Sequence, residues 1–360
     1  MQKFRRIFRK LPDPRADNAR HDLTEILVIA LAAVLCGAES CADMADFGEA
    51  KEGLLRQFLR LEHGIPSHDT FSRIFRILDP LAFEAAFRKF MAAFAKKIKG
   101  VVSIDGKALK GAFERGRKTT PLHLVNVWAA DARLAIGQYV APNRNEVAGA
   151  LEALKLVSLE GCVVTADALH CHAAMAQGIL DRGAAYVLAL KENQSALFAD
   201  AVALLQPVAH QVADILGPGH GRAEERRASV VKAPALAKKH DFPGIKAIGR
   251  VELRRRVGNT ADPLVVRYFL LSKVFSPKRL LAISRKHWGI ENALHWVLDV
   301  AFDEDRARNR KDHGPENIAI LRKLALNLLR SNPDNASIRR KIKRAGWDDT
   351  FLLALLSQMR

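Results

Sequence analysis

The stretch Val101-Val-Ser-Ile-Asp-Gly-Lys107 decides the fold. Its apolar run is typical of a strand buried on both faces, and Asp105 stands inside it. A second run of the same kind, Cys162-Val-Val-Thr-Ala-Asp167, also delivers an aspartate. Because an ionised carboxylate in a buried strand is costly unless it is paired or holds a metal, two such strands indicate a functional site.

A third carboxylate lies far along the chain. Glu291 belongs to His287-Trp-Gly-Ile-Glu-Asn-Ala-Leu-His-Trp296, which has helical periodicity. Each acid alone has an ordinary interpretation: Asp105 precedes a glycine and could occupy a turn, Asp167 could cap a helix, and Glu291 could be a solvated helix residue. The three together favour metal-assisted chemistry, and carboxylate oxygens suit Mg²⁺ or Mn²⁺.

The periodicity around the two aspartates predicts a mixed sheet. Strands are expected at 101–108, 122–130, 134–141, 162–167 and 185–190, with helices at 146–157 and 172–182. The order β-β-β-α-β-α-β is that of a ribonuclease H-like domain. The predicted fold class is therefore α/β: a ribonuclease H-like mixed-sheet catalytic core with a β-rich insertion, preceded by an N-terminal helical domain.

Five segments follow from this pattern. They are a helical domain at 1–98 for DNA binding or assembly, the first part of the core at 99–195, a β-rich basic insertion at 196–275, the second part of the core at 276–330, and a basic tail at 331–360. Insertion strands are expected near 228–232, 246–256 and 264–271, and one helix over 278–301 carries Glu291. The segment 64–76 fits a helix-turn-helix or ordinary packing equally well.

The charge of the chain points to a polyanionic partner. The net charge is +18, and most of the excess lies outside the nearly neutral segment that holds both aspartates. Such flanking charge suits a core that grips nucleic acid, although a basic protein kept soluble by charge is the plain alternative. The longest apolar run, 26–36, is too short to cross a bilayer, so a cytoplasmic, nucleoid-associated protein is predicted. The four cysteines are expected to be reduced, and His170-Cys171-His172 is not expected to bind zinc.

At its three carboxylates the sequence resembles the DDE transposases of bacterial insertion sequences, specifically the H-repeat-associated group. The segments that carry the resemblance are His21-Asp-Leu-Thr-Glu-Ile-Leu27, Gly64-Ile-Pro-Ser-His-Asp-Thr-Phe71, Ile104-Asp-Gly-Lys107, Arg144-Asn-Glu146, Thr165-Ala-Asp-Ala-Leu-His170, Lys191-Glu-Asn-Gln194, His220-Gly-Arg-Ala-Glu224 and 287–300. Together they reach across nearly the whole chain.

The resemblance implies an N-terminal associated domain, a ribonuclease H-like core and a catalytic triad of Asp105, Asp167 and Glu291. It also implies a dimer or larger assembly that acts on terminal inverted repeats and target DNA. The wider class often has Tyr, Arg and Lys around its glutamate. Those positions fall here on Ser284, His287 and Leu298, so roles for these three residue types are not carried over.

The expected mechanism uses two divalent ions about 3.5 to 4 Å apart. Asp105 is expected to bridge both ions, Asp167 to complete one site and Glu291 the other. Residues expected to contact DNA are Lys107, Lys110, Lys191, Asn193, Gln194, Arg222, Arg226, Arg254, Arg255, Arg256, His287 and His295. A further acidic group, Asp303-Glu-Asp305, is interpreted as a salt-bridged surface and, as a lesser alternative, as the source of the third ligand.

Two other functions remain open at the level of the sequence. A structure-selective nuclease on the same core would cut DNA without joining it. A DNA-binding regulator derived from a transposase would bind element ends and would tolerate the loss of Asp105 or Asp167.

Overall fold

The N-terminal helices surround one buried helix. The computed structural model describes residues 2–17, 19–92, 98–113, 121–141, 143, 145–219, 222–257 and 260–359. The helices before the sheet are α1 (Gln2–Phe8), α2 (Leu23–Leu35), α3 (Cys41–Ala50), α4 (Glu52–Leu55), α5 (His68–Ile77) and α6 (Pro80–Met91). Asp22 caps α2 by accepting from the amide of Glu25, and nearly every residue of α2 is buried. The apolar run at 26–36 therefore lies almost entirely in a buried helix.

The strands form one large mixed sheet. They are β1 (Val101–Phe113), β2 (Pro121–Ala129), β3 (Leu134–Val140), β4 (Val163–Ala166), β5 (Ala185–Leu190), β6 (Val212–Gly219), β7 (Arg222–Lys232), β8 (Ala247–Val257), β9 (Thr260–Ala261) and β10 (Val265–Leu271). The order is β3-β2-β1-β4-β5-β10-β8-β7-β6, and β9 pairs with β8. The strand β1 is antiparallel to β2 and parallel to β4, and β4 is parallel to β5. This half of the sheet has the predicted ribonuclease H-like arrangement.

The basic segment at 196–275 continues the same sheet. Because β10 pairs antiparallel with β5, the later strands are added directly to the edge of the catalytic sheet. Three of these strands, β7, β8 and β10, were expected from the sequence, whereas β6 and the two-residue β9 were not. The sequence analysis also missed α9 (Ser195–Leu205) and α10 (Ala235–Lys239), which follow α7 (Glu146–Lys155) and α8 (Ala173–Leu180).

The segment with Glu291 is not one uninterrupted α-helix. It consists of α11 (Pro277–His287), a π-helical turn (Ile290–His295) and α12 (Trp296–Phe302). Single π-helical turns inside helices occur frequently at functional sites. The turn changes the helical spacing, so Glu291 and His295 are not related by the regular i, i+4 geometry of an α-helix.

The C-terminal segment is folded. The residues predicted to be a basic tail contain α14 (Ile338–Trp347) and α15 (Asp349–Ser357), which follow α13 (Gly314–Ser331). Both helices contact α2 and α13, and their apolar residues, such as Leu352 and Leu355, are fully buried. The charged run 339–344 of the predicted basic tail lies in α14, whose apolar residues, such as Ile342, pack inward.

The N-terminal helices share a hydrophobic core with the sheet. The helix α13 packs against α2, α6 and β3. Its Asn327 is buried and bonds the backbone of Ala135 on β3 in both directions, with N···O distances of 2.7 and 3.0 Å. Asn317 donates to the carbonyls of Phe75 and Leu78 at the end of α5. Among the described residues, no helix is long and apolar enough to span a membrane.

Candidate active site

The register of the sheet brings two aspartates together. The parallel pairing of β1 with β4 ends at Ile104 opposite Ala166, so the next residues along the two strands are Asp105 and Asp167. Asp105 lies within β1 and pairs with Asn126 on β2, and it is therefore not a turn residue. Asp167 precedes a short 3-10 turn and makes no capping hydrogen bond. Instead, His172 caps α8 by accepting from the amide of Met175 at 3.1 Å.

The helical segment with Glu291 runs over the same face of these strands. At its start, His287 Nδ1 lies 3.1 Å from the hydroxyl of Thr165, two residues before Asp167. At the end of the π-helical turn, His295 Nδ1 lies 3.6 Å from Asp105 Oδ2. The other ring nitrogen of His295 accepts from the amide of Asn126 at 3.1 Å. This bond leaves the Nδ1 proton directed at Asp105, so the tautomer of His295 is suited to a carboxylate partner.

The charges of Asp167 and Glu291 act on the largely buried carboxyl group of Asp105. Burial, followed by the charges of Asp167 and Glu291, raises the pKa of Asp105 to about 7. Burial and the charge of Asp167 also raise the pKa of Glu291, while the guanidinium of Arg267 opposes that shift. These couplings place the three groups around one region, where a cation would relieve both the desolvation and the repulsion.

The donor set fits a hard divalent cation. Oδ1 of Asp167 is buried and has no hydrogen-bond partner within the described part of the chain, and carboxylate oxygens are the ligands that Mg²⁺ and Mn²⁺ prefer. In the described ranges no group of three or more His, Cys, Asp or Glu side chains is drawn together closely enough to hold a metal as the side chains stand. The fit therefore rests on ligand chemistry and on the unpartnered oxygen.

A cleft of about 830 Å³ opens beside two of the acids. Asp167 and Glu291 line it, together with Lys191, Arg267 and Trp288. Arg267 on β10 lies over the ring of Trp288 at 4.1 Å, which holds a cation next to Glu291. The cleft therefore combines two acidic groups with neighbouring positive charge.

One predicted DNA-contacting residue is inaccessible. Lys107 is buried, and its ammonium contacts Asp299 on α12, Glu304 at 3.7 Å and Asp305 at 3.4 Å. Its side chain joins α12 to β1, and this burial does not favour the predicted contact with phosphate. The acidic group 303–305 is salt-bridged: Asp305 contacts Lys107 and Lys110, and Asp303 lies 3.8 Å from Arg306. Glu304 between them is only 1% exposed.

Residues after β5 hold the loop that follows Asp167. The amide of Asn193 donates to the carbonyl of Ala168 at 2.7 Å, and that of Gln194 donates to the carbonyl of Cys171 at 3.1 Å. Contact of these two residues with bases stays a prediction, but their amides have a structural partner. Lys191 is exposed at the cleft, and the exposed Lys110 pairs with Asp305 at 2.8 Å.

The predicted arginine cluster is divided between the two faces of the sheet. The register places Arg226 and Arg255 on the face that also carries Arg267, and Arg254 and Arg256 on the opposite face. Glu224 pairs with Arg226 at 2.5 Å and with Arg255 at 3.2 Å. Only the first face adjoins Glu291, so strand alternation splits a cluster that looked continuous in the sequence. The side chain of Arg222 lies outside the described residues.

Sequence reasoning missed three residues near the acids. Arg267, Asn126 and Glu146 were not assigned a role, although each faces Asp105 or Glu291 by contact or charge. Two of them stand in strands predicted from periodicity alone. Only Glu146 carried a signal, since it belongs to the segment Arg144-Asn-Glu146 of the family resemblance. Of the residues at the mismatched positions, Leu298 is fully buried.

Comparison with known proteins gives a consistent family. Residues 96–328 match the family described as Transposase DDE domain, and residues 5–91 match the family described as DDE_Tnp_1-associated. The chain is 31% identical to the protein YbfL and 30% identical to the "H repeat-associated putative transposase YhhI", both of Escherichia coli K12, over 96% of each chain. It is 42% identical to a protein in the dhlA 3′ region of Xanthobacter autotrophicus, over 70% of this chain and 88% of that one.

A solved structure of a piggyBac transposase synaptic complex with hairpin DNA aligns with 99% of this chain and 76% of its own, at 12% identity and a TM-score of 0.45. A similarity of that size adds nothing to the assignment. The family matches and the relatives are sufficient. The chain belongs to the Transposase DDE domain family, whose members are enzymes that cleave DNA and transfer strands.

Proposed function

We propose that this transposase cleaves the ends of its own insertion sequence and joins them to target DNA, with Asp105, Asp167 and Glu291 as the catalytic carboxylates. The observation that carries the proposal is the convergence of the three acids. Burial, and then the charges of Asp167 and Glu291, raise the pKa of Asp105 to about 7, and Oδ1 of Asp167 has no hydrogen-bond partner among the described residues. Such a cluster is costly to the folded protein unless it serves a cation.

The three carboxylates would hold Mg²⁺ or Mn²⁺. When bound, divalent ions supply Lewis-acid stabilisation of the attacking and leaving oxygens of a phosphodiester. Nδ1 of His295 lies 3.6 Å from Asp105, and the bond from Asn126 favours the tautomer whose Nδ1 proton faces this carboxylate. His287 anchors the start of the glutamate segment to β4. These contacts of His295 and His287 support the proposal for Asp105 and for the segment that carries Glu291.

The cations around the cleft would bind the DNA backbone. Arg267 and Lys191 line the cleft next to Glu291 and Asp167, and Arg226 and Arg255 lie on the same face as Arg267. A guanidinium can bind phosphate in a bidentate manner. The acids would then act on a phosphate that these side chains hold at the mouth of the cleft, within a dimer or larger assembly on paired ends.

The reaction has two balanced displacements. Water attacks the phosphodiester at the element end, so one P–O bond forms as the bond to the departing 3′ oxygen breaks and a 3′ hydroxyl is released. That hydroxyl then attacks a target phosphodiester and exchanges one P–O bond for another. Neither step requires a covalent intermediate with the protein.

Cleavage and joining on a plasmid that carries the gene with its native flanks test the proposal. Cuts that map to the element boundaries, joined products, and loss of both in Asp167→Asn are the expected results in Mg²⁺ or Mn²⁺. Glu152→Gln is the matched control, because Glu152 is exposed and pairs only locally with Lys155 at 2.6 Å. Cutting without joining would favour a nuclease, and cleavage unchanged in Asp167→Asn would refute the catalytic role of the triad.

A further inference from the structure

A fourth carboxylate approaches Asp105 from the other side of the sheet. Glu146 is the first residue of α7, whose N-terminus is capped by Asn145. Its carboxylate lies directly against Gly106, so that a Cβ at position 106 would overlap it. Because side chains alternate along a strand, Gly106 faces α7 while Asp105 faces the glutamate segment. The pairing of β1 with β4 has ended by this point, so Glu146 reaches the edge of β1 beside Asp105.

A histidine fixes the direction of this carboxylate. Nδ1 of His123 on β2 donates to Oε1 of Glu146 at 2.7 Å. The His123 and Glu146 side chains are 13% and 20% exposed, so the bond is largely shielded from water. Oε2 remains available, and it is the oxygen closest to Gly106. A carboxylate that is oriented by an imidazole and leaves one oxygen free resembles the supported ligands of metal sites.

A buried histidine without a partner marks the same place. His170 is fully buried, and neither of its ring nitrogens has a hydrogen-bond partner within the described part of the chain. Its Nε2 lies 3.8 Å from Oδ1 of Asp167, the oxygen that also lacks a partner. The negative charges of Asp167 and Glu146 both act on this imidazole. Buried polar atoms are normally satisfied, so this group indicates a space built for a polar ligand.

We propose that Glu146 is a fourth carboxylate of the divalent-cation site, with His123 as its positioning residue and His170 facing the same space. This inference rests on the proposed function, because it concerns the same cation. It adds an acid from α7 to the three supplied by β1, β4 and the π-helical turn. The requirement for glycine at position 106 follows, since any larger residue would displace Glu146 from Asp105.

Binding of Mn²⁺ to the purified full-length chain tests the inference without reference to activity. Free Mn²⁺ is measured by electron paramagnetic resonance for the wild type, Glu146→Gln, Asp167→Asn and Glu152→Gln. Glu146→Gln is expected to weaken binding by about tenfold, and Glu152→Gln, on the same helix, is expected to bind like the wild type. The glutamine oxygen still accepts from His123, and a thermal unfolding transition checks that the variant is folded. Glu146→Asp keeps the charge, and its Mn²⁺ affinity is expected to lie between those of the wild type and Glu146→Gln.

The variants distinguish the inference about Glu146 from the proposed function of the three carboxylates. If Asp167→Asn binds weakly while Glu146→Gln binds like the wild type, the inference is overturned and the proposed function stands. If neither substitution changes Mn²⁺ binding, the cation site of the proposed function fails as well. The role of His123 has its own readout: His123→Gln can still donate to Glu146 and should retain Mn²⁺ affinity, whereas His123→Leu should lose it. Equal affinities for these two variants would refute the positioning role.

Discussion

Replacing Asp105 by asparagine is expected to stabilise the metal-free protein above neutral pH. The folded state raises the pKa of this carboxyl from 3.8 to about 7, chiefly through burial and then through the charges of Asp167 and Glu291. The folded state therefore holds the proton more tightly than the unfolded chain does. The stability that this group contributes is fully present below about pH 4, and it is lost as the pH rises to about 7.

The size of the effect follows from the shift. About three pKa units at about 1.4 kcal/mol each give a loss of about 4 kcal/mol by pH 8. About 3 kcal/mol of this loss falls between pH 5 and pH 8. The side chain is 19% exposed, so solvent screening leaves most of the effect in place. An asparagine at position 105 cannot ionise, so the variant does not lose this stability as the pH rises.

Urea denaturation in EDTA at pH 5 and pH 8 measures the difference. The free energy of unfolding of Asp105→Asn, relative to that of the wild type, should rise by about 3 kcal/mol from pH 5 to pH 8. The same difference for Glu152→Gln should not change with pH. Saturating Mg²⁺ should stabilise the wild type at pH 8 more than the variant, because a ligand of the folded state raises its stability. A difference between Asp105→Asn and the wild type that is the same at pH 5 and pH 8 would refute the reasoning.

Three further substitutions have defined outcomes. Lys107→Met should lower the free energy of unfolding by about 3 to 5 kcal/mol in urea denaturation, because it leaves Asp299 and Glu304 near each other without their cation. Lys110→Met on the exposed side should unfold like the wild type. Gly106→Ala should weaken Mn²⁺ binding by displacing Glu146, while Gly53→Ala, which has open space around it, should leave Mn²⁺ binding unchanged. Arg267→Met should weaken DNA binding, and the slope of the logarithm of the DNA-binding constant against the logarithm of salt concentration should become shallower by about 1. An unchanged slope would exclude a contact between Arg267 and phosphate.

The sheet around Asp105 was predictable because its strands are apolar runs bounded by clear turns. The strands β1 to β5 and the helices α7 and α8 all begin and end within a few residues of the expected positions, except that β1 continues to Phe113. Asp105 and Asp167 were found for the same reason, since each interrupts or ends a buried run. Local pattern is enough where burial on both faces leaves few alternatives.

The remaining features depend on contacts between distant segments. Lys107 is buried in ion pairs with Asp299 and Glu304, which lie almost two hundred residues away in the sequence. Nothing in the local sequence indicates that pairing. The π-helical turn at Glu291 and the joining of β10 to β5 also follow from tertiary packing. The charged run in α14 led to the prediction of a tail because periodicity in a basic segment is weak evidence of burial.

The most direct test of the central claim is a change of metal preference at Asp167. Strand transfer by Asp167→Cys should be lost in Mg²⁺ and recovered in Mn²⁺, because a thiolate is a poor ligand for the harder ion. The wild type should work in both ions, and the exposed control Glu152→Gln should match it. Strand transfer by Asp167→Cys that is undiminished in Mg²⁺ would contradict the assignment of Asp167 as a ligand of the catalytic cation.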